Sequence, residues 1–279
     1  MPAARSNPRW RLWATRVALA IAGMAVVAYA AAVSYLWVSQ EKLLFAPDVL
    51  AANHRFKLDD DVHEVFIGVP GARLHALHMR LPNPRGVVFY LHGNTGSVER
   101  WFADADLFRR ANFDLFMLDY RGYGKSSGRI ASEEELHADV YAVWQAVAER
   151  YRGRPVVVYG RSLGTALAAT LAARIEPALT ILVSPYRSIA ALAREHYPWV
   201  PGAVLRYPLR TDLVLATLRT PVLLVHGDRD TLIPPAHSQA LRALVPQARL
   251  VEVEGAGHND LHTFDAYRRT MAAALEALR

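Results

Sequence analysis

The chain has 279 residues, 52% hydrophobic and 21% charged, enough apolar side chain for one domain with a substantial core. It has no cysteine, which excludes disulfides, thiolate catalysis and cysteine metal sites. Its net charge of +6 is uneven: residues 1–40 hold four arginines and no acid, leaving 28 basic against 26 acidic groups in 41–279, too even a balance for a nucleic-acid footprint.

The amino terminus comes first. Val17 to Ser39 runs for 23 residues without a charge, long enough to cross a bilayer as a helix. Arg5, Arg9, Arg11 and Arg16 precede it and favour a cytoplasmic amino terminus, with the rest of the chain across the membrane. A cleaved signal peptide is the alternative, and Ala28-Tyr29-Ala30 offers its small-residue site. Hydrophobicity continuing through Val33, Tyr35, Leu36 and Trp37 favours the anchor. The expected domains are a membrane anchor over 1–40 and a single body over 41–279.

In the body, short apolar runs alternate with longer helical patterns. Strands are expected at 62–69, 72–80, 86–92, 113–119, 155–160, 178–184, 221–227 and 248–253, and helices at 97–111, 132–151, 162–175, 234–245 and 260–279. This alternation predicts an α/β fold, a mainly parallel eight-stranded sheet with helices on both faces. Pro70-Gly71 reads as the turn of an antiparallel edge hairpin joining the first two strands.

The loops at strand ends carry the chemistry. His92-Gly93-Asn94-Thr95-Gly96 follows the third strand, and its glycines let backbone amides approach a reacting carbonyl. Asp119 to Ser126, another Gly-rich loop, lacks the spacing of a phosphate cradle and reads as structural or pocket-lining. Gly160-Arg161-Ser162-Leu163-Gly164 lies between an apolar run and an alanine-rich helix, the strand–turn–helix context of a nucleophile elbow. Ser162 is therefore the candidate nucleophile, and the amides of Asn94 and Leu163 the candidate oxyanion donors.

Residues 186–219 form the one sizeable excursion, a short cap holding His196-Tyr197-Pro198-Trp199-Val200-Pro201 and Tyr207-Pro208. It reads equally as an apolar rim for an acyl chain or as a surface loop. A serine hydroxyl needs a base, and the base an orienting acid. Asp230 follows the strand 221–227 and His258 the glycine loop after 248–253, in the chain order Ser, Asp, His. Asp228, the rival acid, reads as a turn residue, and Asp260 as an N-terminal residue of the last helix. His258 and His262 stand four apart, but without a motif glutamate or a third ligand no metal is expected, and no cofactor.

Together Gly160 to Gly164, His92-Gly93-Asn94, Asp119 to Gly124, His226 to Asp230 and Gly257 to Asp260 resemble the α/β-hydrolase superfamily, and more narrowly the membrane-anchored ABHD-type serine hydrolases. The resemblance covers roughly residues 40 to 279. It implies an α/β-hydrolase fold with Ser162, Asp230 and His258 as nucleophile, acid and base, and a two-amide oxyanion hole. Relatives act as esterases, lipases, thioesterases or serine peptidases. The expected activity is cleavage of small-molecule or lipid esters through an acyl-serine, with the membrane met through the amino-terminal helix and no nucleic-acid partner. A serine peptidase and a catalytically silent, membrane-tethered binding module stay open beside it.

Overall fold

The computed structural model describes residues 8–278; Arg5 and Arg279, both used in the sequence reading, lie outside them. Strands β1 (Val62–Val69), β2 (Ala72–Met79), β3 (Gly86–Leu91), β4 (Phe113–Leu118), β5 (Val156–Arg161), β6 (Leu179–Val183), β7 (Val222–Gly227) and β8 (Ala248–Val253) form one sheet. Their order is β1-β2-β4-β3-β5-β6-β7-β8. Only β2 runs against its neighbours, and the hairpin pairs Val69 with Ala72 across a Gly71 at φ 75°. All eight strands lie within one residue of their expected bounds.

Central strands are buried on both faces and read as continuous apolar runs, as parallel sheets require. Alternation still decides which face each residue serves: Val87, Phe89 and Leu91 join one core cluster, Val88 and Tyr90 the other. Helices α4 (Glu133–Ala148) and α5 (Gly164–Ile175) contribute to the first cluster. Helices α3 (Ala105–Arg110) and α9 (Asp265–Glu276) contribute to the second. The Ser132 hydroxyl caps α4 by accepting the Glu135 N–H at 3.1 Å, with three glutamates in the first turn where the dipole favours them.

Two expected helices differ in detail. The span 97–111 breaks into α2 (Val98–Trp101), a 3₁₀ turn at Phe102–Asp104 and α3. There Trp101 turns inward, its Nε1–H donating to the Thr95 carbonyl at 2.8 Å. The last helix starts at Asp265, after a 3₁₀ turn at Leu261–Thr263. Asp260 is thus not at its N-terminus; its carboxylate accepts the Gly257 N–H at 2.7 Å and closes the preceding loop instead.

The amino-terminal helix α1 runs Pro8–Leu44, longer than the apolar stretch alone, and is long and apolar enough to cross a membrane. Every side chain from Arg9 to Ala31 is exposed. The cap contains α6 (Ile189–His196), a 3₁₀ turn at Gly202–Val204 and α7 (Thr211–Leu215); α8 (Ala236–Leu244) follows β7. Of the cap aromatics, Tyr207 is fully buried against Phe45, whereas Tyr197 and Trp199 are exposed.

Candidate active site

β3 and β5 are neighbours, with Leu91 paired to Gly160, and connections leave them toward opposite sides of the sheet. The crevice at their carboxyl ends is where open α/β sheets gather ligands. Ser162 sits there at φ 52°, a left-handed conformation that a side-chain-bearing residue adopts at a cost. The turn is fixed by Ser162 N–H donating to Val183 O at 2.9 Å and by the Thr165 hydroxyl donating to Ser162 O at 2.6 Å. Gly164 has no room for a side chain: a Cβ would stand 2.1 Å from the Leu91 carbonyl oxygen.

Asp230 follows β7 and is buried. One carboxylate oxygen accepts the N–H groups of Leu232 and Ile233 at 3.0 and 2.8 Å; the other accepts His258 Nδ1–H at 2.7 Å and lies 3.3 Å from His226 Nε2. Burial alone would raise its pKa, but the contacts with His226 and His258 and the Ile233 N–H together hold the carboxyl well below the usual range. With Nδ1–H committed to Asp230, His258 turns the lone pair of Nε2 to the Ser162 hydroxyl, 3.1 Å away. The three expected side chains therefore meet, although Ser162 and His258 are 96 residues apart in sequence.

The histidine loop is braced from several sides. Asp228 accepts the Gly255 N–H at 2.7 Å, the turn role expected of it. Arg161, buried beside Ser162, donates to the His258 carbonyl at 3.2 Å and sets its guanidinium over the Trp101 ring. His262 faces elsewhere, its Nε2 3.9 Å from an Asp104 carboxylate oxygen.

Asn94 and Leu163 both line the cleft above Ser162. Among the described residues, neither N–H has a protein acceptor. The Asn94 loop is held from behind: Tyr120 and Tyr123 hydroxyls donate to the His92 and Asn94 carbonyls at 2.8 and 2.6 Å. Asp119 anchors this layer, accepting the Val98 N–H at 2.8 Å and facing His75 at 3.1 Å. Burial would raise its pKa, but the contacts with His75 and His92 outweigh it and keep the carboxylate charged. Arg121 of the same loop is engaged bidentately by Asp139, so the Gly-rich stretch serves as scaffold.

Arg161, His226, Tyr120 and Tyr123 were not singled out by sequence reasoning. The two tyrosines carried a signal, aromatic residues spaced by glycines in a loop after a central strand. Arg161 read as a filler position of the elbow motif and His226 as an ordinary strand residue, because only the fold shows what their side chains reach.

The cleft encloses about 380 Å³. Ile189, Leu192, Val200 and Leu205 of the cap and Leu232 and Ile233 beside Asp230 make it apolar, and among the described residues no carboxylate lines it.

Residues 82–211 match the family model described as serine aminopeptidase, S33, and residues 187–265 the model described as alpha/beta hydrolase fold. The Homo sapiens alpha/beta hydrolase domain-containing protein 17B is 36% identical over 205 residues, covering 71% of this chain and 69% of the relative. Among solved structures, the Pyrococcus furiosus esterase Pf2001 superposes with a TM-score of 0.65 at 18% identity, over 84% of this chain and 98% of its own. Est1E from Butyrivibrio proteoclasticus, bound to ferulic acid, gives 0.62 at 21% identity over 76% and 96%. At such identities the structures speak to fold alone.

Proposed function

The chain belongs to the α/β-hydrolase superfamily, on the ABHD side of it, and from that premise we propose that it is a serine hydrolase of carboxylic esters, including acyl esters or thioesters of lipid origin. The observation that carries the reading is the continuous hydrogen-bonded run from Asp230 through His258 to Ser162, at 2.7 and 3.1 Å. His258 takes the proton as the Ser162 hydroxyl attacks the carbonyl carbon, while the amides of Asn94 and Leu163 receive the developing oxyanion. His258 then returns the proton to the leaving alcohol. Water enters by the same route and releases the acid from the acyl-serine. Asp230 holds the imidazole in the working tautomer and stabilises its cation.

One observation favours amide cleavage, the family model described as serine aminopeptidase. Against it, an aminopeptidase has to hold a substrate ammonium group, and the described lining of the cleft has no carboxylate to do so. An apolar cleft fits the acyl portion of an ester.

The reading places α1 in the membrane and residues 41–279 outside the cytoplasm, on the strength of the arginines before Val17. Fluorophosphonate labelling of wild type and Ser162→Ala tests the chemistry. Wild type labels and hydrolyses 4-methylumbelliferyl acetate; the variant does neither and keeps its fold by circular dichroism. Turnover retained in Ser162→Ala removes the assignment, and a folded wild type that never labels brings the silent binding module forward.

A further inference from the structure

The helix that would anchor the protein also forms a wall of the cleft. Leu36, Gln40, Leu43 and Leu44, from the last turns of α1, face the cap across it. The joint is specific. Gln40 is buried, its Nε2 donating to the Val204 carbonyl at 2.8 Å and its Oε1 accepting the Arg206 N–H at 2.7 Å. Glu41 next to it pairs with Arg206 at 2.5 Å and accepts the Tyr207 hydroxyl at 3.0 Å. A buried amide satisfied at both ends fixes register as well as contact. The end of α1 and the cap therefore hold one another in place above Ser162.

Depth follows from the helix rise. Arg16 is the last charge before the apolar stretch, and a hydrocarbon core of about 30 Å takes about 20 residues at 1.5 Å each, which ends near Leu36. Leu36 is also the first α1 residue on the cleft. The cap reaches further down. The Tyr29 hydroxyl donates to the Trp199 carbonyl at 3.1 Å, and the two rings meet edge-on at 6.5 Å. That contact lies seven residues, about 10 Å, to the membrane side of Leu36. Tyr197 and Leu232 line the cleft yet are 55% and 54% exposed, an apolar rim that no described residue covers.

We propose that the cleft opens into the bilayer between the end of α1 and the cap, and that it takes the acyl chain of a membrane-resident long-chain ester laterally from the leaflet. The inference rests on the ester-hydrolase reading and on α1 as a membrane helix. A chain on this route moves from hydrocarbon into an apolar cleft and never meets the penalty of exposing its methylenes to water. Leu36, Leu43 and Leu44 then select for chain length, and the anchor is part of the substrate site.

The test uses the full chain in phosphatidylcholine vesicles, with 4-methylumbelliferyl palmitate supplied in the same vesicles or in separate ones and the water-soluble acetate ester as reference. Palmitate in the shared bilayer is expected to turn over at least tenfold faster than palmitate in separate vesicles. Leu36→Trp, and Ala193→Trp on the cap side of the cleft, are each expected to lower the palmitate-to-acetate ratio at least tenfold. Circular dichroism and fluorophosphonate labelling at Ser162 matching wild type show that the variants are folded with the serine reactive. Equal rates for the two presentations, or an unchanged ratio in both variants, overturns lateral access. Acetate hydrolysis without palmitate hydrolysis in either presentation overturns this inference alone. A wild type that neither hydrolyses acetate nor labels at Ser162 fails the ester-hydrolase reading and carries the inference down with it.

Discussion

Below the cleft, at the carboxyl edge of the sheet, polar side chains are held by backbone and by one another. Ser162 is pinned in a left-handed turn, Asp230 accepts two N–H groups besides the histidine, and the Asn94 loop is clamped by two tyrosines. Above it, the cap and the end of α1 offer aliphatic side chains, several of them largely exposed, joined through Gln40 and Glu41. On the proposed ester-hydrolase reading, the contrast separates two tasks. Bond-breaking needs atoms fixed to fractions of an ångström, whereas holding an acyl chain needs shape and apolar area, which many side-chain combinations supply.

A sharp way to break this division is Asp230→Asn. The amide keeps the shape but cannot accept the imidazole N–H with a charge, and such a loss typically lowers kcat by about 10⁴. Short and long acyl esters are expected to suffer alike. A loss confined to long chains would mean that the lower layer also sets selectivity. Because its partners hold the Asp230 carboxyl low, the orienting charge persists on mild acidification, and deprotonating Asp230 does not shape the activity profile above pH 4.

The same contrast explains what was legible in the sequence. Strands β3 to β7 stood out because parallel strands buried on both faces must be continuous apolar runs. Ser162 stood out because its turn excludes a Cβ at Gly164, so backbone geometry writes glycines at fixed spacing. Asp230 and His258 followed from chain order at strand ends. Arg161 was hidden: it sits inside the motif, and its role depends on a loop almost 100 residues away coming within hydrogen-bonding distance. The cap was hidden further, since its partner is the amino-terminal helix. No spacing rule links Gln40 to Val204, which meet only after the body has folded.

Two smaller effects sharpen the picture of the lower layer. Arg161→Met removes the donor to the His258 carbonyl while filling similar space, and hydrogen bonds from charged groups contribute about 1.5–3 kcal/mol. Acetate-ester kcat is expected to fall roughly tenfold to a hundredfold with KM little changed; an unaltered kcat would show that the loop holds itself. Tyr123→Phe frees the Asn94 carbonyl from a neutral hydrogen bond of about 1 kcal/mol, for a loss of roughly fivefold in kcat. A larger effect on KM than on kcat would indicate that the Asn94 loop binds ground state and transition state alike.

The smallest effect concerns the upper layer and its response to acid. His237, on α8 and buried, accepts the Arg187 N–H at Nδ1 at 3.2 Å and turns Nε2 to Glu195 of α6 at 3.2 Å. Burial lowers its pKa, Glu195 pulls the other way, and Arg187 and His226 add to the lowering; the net shift is downward. The folded protein therefore resists protonating a group that the unfolded chain protonates near pH 6.5. Stability from this site is complete above that pH and declines as the pH falls toward the lowered folded value, by at most about 1.4 kcal/mol per pH unit. His237→Gln can keep both hydrogen bonds without titrating. Between pH 7.5 and 5.5, wild type in detergent is expected to lose more unfolding free energy in urea than His237→Gln, by no more than about 1.4 kcal/mol. Parallel losses in the two proteins would free the cap of any acid-sensitive tie through His237, leaving its hold on the body to Gln40, Glu41 and apolar contact.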